Sequence, residues 1–278
     1  MKKILVTMMA LALTVAAQGQ TETIDSTQFV AVYDYECRTQ NDEGQDITDR
    51  MQLAVQVGRT VVKSMPRSAY KEMDKDEEKD IMAVHQEAYM HMPTVWIGLP
   101  TGQTTVREFI FPHDYEGNEA TPDIAWTLSE DTVTVSGYLC QQAMATFRGV
   151  EWHVCYTEEI PSSAGPWRLR GLPGLIIEAK SEAHTFRLVE LRQEHGAITA
   201  PEQNPEVHRM KYAKLLKHKN EIYGNREYAK NPMYYVPDLQ GSITDMSVLN
   251  RNGQQLLLAN GGHPLLTKAH VYQLLELE

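Results

Sequence analysis

Alternation governs much of the chain. Over residues 27–38, Phe29, Ala31, Tyr33, Tyr35 and Cys37 fall on one side and Val30, Val32, Asp34, Glu36 and Arg38 on the other, the period-two pattern of a strand with one drier face. Met51, Leu53, Val55 and Val57 repeat the pattern. The polar stretch 41–49, with Gly44, predicts a hairpin loop between the two strands, and Gly58 predicts a bulge or turn before Val61 and Val62. From residue 68 to 91 the period lengthens. Tyr70, Met73, Ile81, Val84 and Ala88 stand at helical spacings, and Pro93 closes the segment. A second helix is predicted over 205–223, between Pro205 and Gly224. The rest consists of short apolar runs, at 104–111, 131–138, 150–156, 175–179, 184–191 and 254–258, cut by turn residues. Many short strands with two inserted helices predict an α+β class, mostly antiparallel β: a curved sheet or partial barrel with one or two covering helices.

Residues 133–157 form the clearest local prediction. Two alternating arms meet at Arg148-Gly149, where glycine accepts the positive φ of a tight turn. In that register Ala145 faces Trp152 and Ala143 faces Val154, so small side chains meet large ones on the core side. The opposite side gathers Cys140, Gln142 and Met144 against Thr157, Cys155 and His153. Beyond it, Glu158 and Glu159 are adjacent, so on a strand they would point to opposite sides and share no substrate. Residues 160–174 then place Gly165-Pro166-Trp167 and Gly171-Leu172-Pro173-Gly174 among apolar neighbours. So much Gly and Pro excludes a helix or long strand and predicts a shaped loop, with Trp167 and Leu172 pressed inward. Leu175, Ile176 and Ile177 resume as a buried strand.

The beginning of the chain changes the compartment. Lys2 and Lys3, an apolar run from Ile4 to Ala17 and small residues up to Gly19 make the layout of a cleavable signal peptide, and that run is shorter than the roughly 20 residues a membrane helix needs. Residues 1–19 are therefore expected to be a leader, with 20–278 a single exported domain and the periplasm its location. Its removal would deepen a net charge already at −11. Acids in excess along the chain argue against nucleic acid as a partner, because phosphate binding draws on clustered Lys and Arg. The one basic cluster, from His208 to Lys219, reads as a solvated helix face, with a docking patch for an acidic partner or anionic lipid as the alternative.

No hydrolase elbow, zinc-protease helix or phosphate-binding glycine loop is present, so a non-enzymatic role and no cofactor are expected. Two chemistries remain open on the hairpin. Cys140, Met144, His153 and Cys155 are ligands that soft Cu(I) prefers, although single Cys and Met residues are also ordinary packing elements. Cys140 with His153 can be drawn as a thiol nucleophile and its base, since cross-hairpin neighbours approach hydrogen-bond reach. Three cysteines in an oxidising compartment leave one bridge and one orphan, or none bridged. Cys140 and Cys155 sit two residues out of opposition, poor disulfide geometry, and a bridge from Cys37 to either remains open. The turn at 260–264, with His263, reads as loop chemistry.

The hexapeptide at 171–176, together with Tyr138-Leu139-Cys140, Ala143, Phe147, Gly149, Ile160-Pro161 and Gly165-Pro166-Trp167, resembles the GLPGLI family of exported bacterial proteins. Gln142 stands where that resemblance leads one to expect a basic residue, and Arg148-Gly149 reads in inverted order. The resemblance implies an envelope protein, carries over no catalytic residue, and marks Gly165, Pro166, Trp167, Gly171, Leu172, Pro173 and Gly174 as its motif positions and candidate binding residues. The expected role is binding, carriage or assembly, with an apolar ligand or an envelope protein as partner and an outer-membrane uptake system as a possible context.

Overall fold

The computed structural model of the chain describes residues 22–40, 45–70, 92–110, 113–223, 247–249, 255–257 and 275–277. The leader, most of the predicted helix at 68–91 and the turn at 260–264 lie outside them; Arg67–Ala69 forms one 3-10 turn. The described strands are β1 (Thr23–Ser26), β2 (Phe29–Gln40), β3 (Asp46–Val57), β4 (Val62–Pro66), β5 (Thr94–Ile97), β6 (Gln103–Ile110), β7 (His113–Ala120), β8 (Thr127–Val135), β9 (Tyr138–Phe147), β10 (Val150–Thr157), β11 (Leu175–Lys180), β12 (His184–Gln193), β13 (Ala197–Thr199), β14 (His208–Lys211), β15 (Ser247–Leu249) and β16 (Gln255–Leu257), with one helix, α1 (Tyr212–Tyr223). Mostly antiparallel β is thus correct, with a single helix among the described residues.

Twelve strands share one sheet, in the order β14-β7-β6-β5-β4-β3-β2-β12-β11-β10-β9-β8. Apart from the edge strand β14 it consists of two meanders, β2 to β7 and β8 to β12, joined where β12 pairs antiparallel with β2. Consecutive in the chain, β7 and β8 stand ten positions apart in this order. A flat sheet would separate them by about 48 Å, yet the chain from Ala120 to Thr127 can span only about 25 Å. The sheet therefore rolls up, and it does so without closing into a barrel.

The inside of the roll carries the main core. Tyr33 and Tyr35 of β2 pair with Leu53 and Met51 of β3 and with Leu188 and Phe186 of β12, and all belong to one buried cluster with Val106, Ile110, Trp152 and Val154. Burial of each such side chain is worth about 1.5–3 kcal/mol. The other face of β2 is drier than expected at its start: Val30 and Val32 pack with Ala54, Met65 and Tyr70 in a separate cluster.

Several boundaries differ from the sequence expectation. The β2–β3 ladder runs to Gln40 opposite Asp46, so the hairpin loop is shorter than 41–49. Among the strands without clear apolar alternation, β5 is four residues long and β7 is mostly polar. The second helix starts at Tyr212, not Pro205. Residues 208–211 instead pair parallel with β7, giving hydrogen-bond partners to backbone that an edge strand would leave open. On α1, Tyr212, Leu215, Leu216 and Lys219 are buried at the spacing of one helical face. The basic stretch is therefore not wholly solvated, because Lys219 pairs with buried Glu108 at 2.7 Å. Gly117 lets α1 approach β7, since a Cβ there would lie 3.0 Å from the Tyr212 Cα.

Candidate functional site

The β9–β10 hairpin has the expected register, Ala145 opposite Trp152 and Ala143 opposite Val154. Its turn places both Arg148 (φ 54°) and Gly149 (φ 76°) in the left-handed region, the geometry of a type I′ hairpin turn. An arginine there is unusual. Its guanidinium is held by the Glu119 carboxylate of β7 and lies over the Tyr212 ring at 5.8 Å.

The Gly-Pro loop packs into the inside of the roll. Trp167 and Leu172 are 1% and 2% exposed, as their setting predicts, and Trp167 sits between Phe147 and Trp152 at ring distances of 5.9 and 6.0 Å. The loop closes on itself: Gly171 N–H donates to Ser163 O and Ile176 N–H to Ala164 O, at 2.9 and 3.2 Å. A Cβ on Gly174 would stand 2.0 Å from Thr157 O, and one on Gly165 would stand 2.6 Å from Leu169 O. Only glycine fits either place. Gly165, Pro166, Trp167, Leu172 and Gly174 are thus buried structural members, while Gly171 and Pro173 face solvent. Glu158 and Glu159 lie in a turn rather than on a strand, and Glu159 accepts from Leu139 N–H at 3.3 Å.

Between Trp167 and Leu169 the loop drives Arg168 into the interior, where it is 2% exposed. Its Nη1 donates to Glu276 at 2.5 Å, its Nη2 donates to Glu119, and its guanidinium lies 4.5 Å over the Tyr212 ring. The Tyr212 hydroxyl also donates to Glu276. Burial opposes the Arg168 charge, but Glu276, Tyr212 and Glu119 outweigh it and hold the group protonated. Burial raises Glu108 above the usual carboxylate range, and Lys219 only partly offsets it. Glu276 arrives on residues 275–277, whose Leu275 is buried in the main core. Leu277 N–H donates to Arg148 O at 2.8 Å and its carbonyl accepts from Asn220 Nδ2 at 3.3 Å. Loop, hairpin turn, β7, α1 and this segment all meet here, where the two edges of the roll approach.

The other face of the hairpin holds the predicted soft ligands. Met144 lies directly opposite His153, Gln142 opposite Cys155 and Val133 of β8 opposite Cys140, so Cys140, Met144, His153 and Cys155 do share one side. Burial divides them. Met144 is 40% exposed, whereas Cys140 is fully buried and belongs to the main core cluster. His153 is exposed and bonds Glu151 at 3.0 Å. No cysteine is bridged, and no three or more His, Cys, Asp or Glu side chains among the described residues are grouped to hold a metal. Burial pushes the Cys140 thiol up to about 11, with Cys155 adding to it. Cys155 is raised too, by burial and then by Glu178.

Two groupings escaped the sequence reading. The signal for the first was an arginine set inside an apolar Gly-Pro loop and a glutamate inside Leu274-Leu275-Glu276-Leu277. The second is Tyr115, with His208 stacked at 5.1 Å, His218 at 5.2 Å and His113 at 6.4 Å.

No protein-family model matches the sequence, and no curated protein does. Two solved structures of PNGF-II are similar in part, with TM-scores of 0.44 and 0.42 at 11% identity, over 70% and 67% of this chain. The chain spans about a third of their length, 33% and 32%.

Proposed function

We propose that the chain is an exported, non-enzymatic binding protein of the cell envelope, a GLPGLI-type domain that takes up an apolar ligand or an apolar surface of an envelope partner. The observation that carries this reading is the open roll. Leu128 pairs with Ala143 and Leu139 with Thr134, and these two leucines of the last two strands are 57% and 60% exposed. An unclosed concave sheet with apolar side chains at its rim is a setting for apolar ligands. The thiol-enzyme alternative is weakened by Cys140, since a thiol pushed up to about 11 is protonated at neutral pH and a poor nucleophile in that form.

The test is titration of the folded protein with a fluorescent naphthylamine probe. Saturable binding that Leu128→Asp and Leu139→Asp each weaken supports the reading, and no saturable uptake ends it. A soft-metal role is a second reading, favoured by the shared face of Cys140, Met144, His153 and Cys155. Cu(I) uptake unchanged in a His153→Ala, Cys155→Ser double variant removes it.

A further inference from the structure

We propose that Arg168, Arg148 and Tyr212 form a carboxylate-reading site for extended peptide segments of the pattern apolar-Glu-apolar, and that the chain's own residues 275–277 occupy it in cis. These three residues are held in the way a bound peptide is held. One side chain, Leu275, is buried in the core. The next, Glu276, accepts from Arg168 Nη1 at 2.5 Å and from the Tyr212 hydroxyl, with Arg148 Nε at 4.0 Å. The backbone of the third is bonded on both sides, to Arg148 O and from Asn220 Nδ2. Main-chain bonds for affinity and alternate side chains for selection are the usual division of labour in peptide recognition.

The charges argue that selection is the purpose. Among the described residues, the group without Glu276 would hold three cations, Arg148, Arg168 and Lys219, against two carboxylates, Glu108 and Glu119; the occupant's carboxylate makes up the difference. A buried ion pair seldom stabilises more than well-packed apolar residues of similar volume. What it adds is a requirement for one carboxylate at one position, which an apolar plug would not impose. Buried Glu108 Oε1, which has no hydrogen-bond partner, marks the same cluster as polar beyond what packing needs. A tethered occupant competes at millimolar effective concentration, so a partner segment enters only when it is abundant or brings further contacts.

The inference rests on the binding-protein reading, and the experiment separates the two. Full-length Glu276→Gln protein is titrated with a labelled Gln-Leu-Leu-Glu-Leu peptide and with its Gln-Leu-Leu-Gln-Leu counterpart, read by anisotropy. The Glu peptide is expected to saturate the variant and to bind wild type roughly a hundredfold more weakly; the Gln peptide should bind the variant roughly thirtyfold more weakly or worse. Equal binding of the two peptides, or of the Glu peptide to variant and wild type, overturns the proposal. Should the variant lose its near-ultraviolet circular dichroism, recovery of that signal with the Glu peptide alone is the supporting result, and no recovery is the opposing one. A folded variant that ignores both peptides yet still takes up the naphthylamine probe removes the peptide site and leaves the binding reading standing.

Discussion

Two charged groups in this molecule use the same residue types for different ends. Inside the roll, Arg168 joins Glu276 and Glu119, and neither Arg168 nor Glu276 is more than 4% exposed. On the outside, Glu178 of β11 is itself only 6% exposed, but it takes Lys180 at 2.7 Å and Arg187 of β12 at 2.7 Å, and these two cations are about half exposed. The inner group ties together segments more than a hundred residues apart; the outer group stitches neighbouring strands. Solvent decides the difference. Charges taken out of water must be matched completely or they destabilise strongly, whereas a pair whose cations water still reaches is worth less.

The largest break in this comparison is Arg168→Ala. It leaves the buried Glu276 carboxylate without its nearest cation, and a loss of about 3–5 kcal/mol is expected, read as a shift in the urea midpoint. A loss below about 1 kcal/mol would mean that water already reaches the cluster.

Glu178→Gln should cost far less, about 1 kcal/mol at pH 7. Burial pulls the Glu178 carboxyl up, but hydrogen bonds from Lys180 and Arg187 outweigh it and hold the group below the usual range. A carboxyl lowered by folding adds stability above its unfolded value of about 4.3, and that stability is lost as pH falls through the folded value. The gap between wild type and variant should therefore close under acid. A gap that persists at the lowest pH would show that Glu178 acts through packing.

How much of this could be read from residues alone follows the same division. The hairpin register was legible because Ala143 and Ala145 face Val154 and Trp152 across a two-residue turn, a local pattern with only one good solution. The buried Trp167 and Leu172 were legible because a wet loop has no use for them. The rolled order of strands was not, since β7 is mostly polar and its place depends on how far the Ala120-to-Thr127 link can reach. Nor was the Arg168 cluster. Its partners come from β7, α1 and residues 275–277, and no spacing along the chain foretells a meeting of that kind. The soft-ligand face was legible as a face, but not the burial that splits it, which takes Cys140 into the main core cluster and leaves Met144 in solvent.

The smallest expected effect lies on that face. His153 and Glu151 are both 61% exposed at the side chain, so the pair resembles the outer group with even more water around it. His153→Ala should change stability by less than about 0.5 kcal/mol, measured at neutral pH in urea. That near silence makes the variant informative, because any change in Cu(I) affinity is then free of a folding contribution. A weakened affinity at unchanged stability would assign His153 to a metal, as its position opposite Met144 permits. Unchanged affinity and unchanged stability together would leave it an ordinary surface histidine, and the contrast between inner and outer charge would then account for the ionic side chains of both faces.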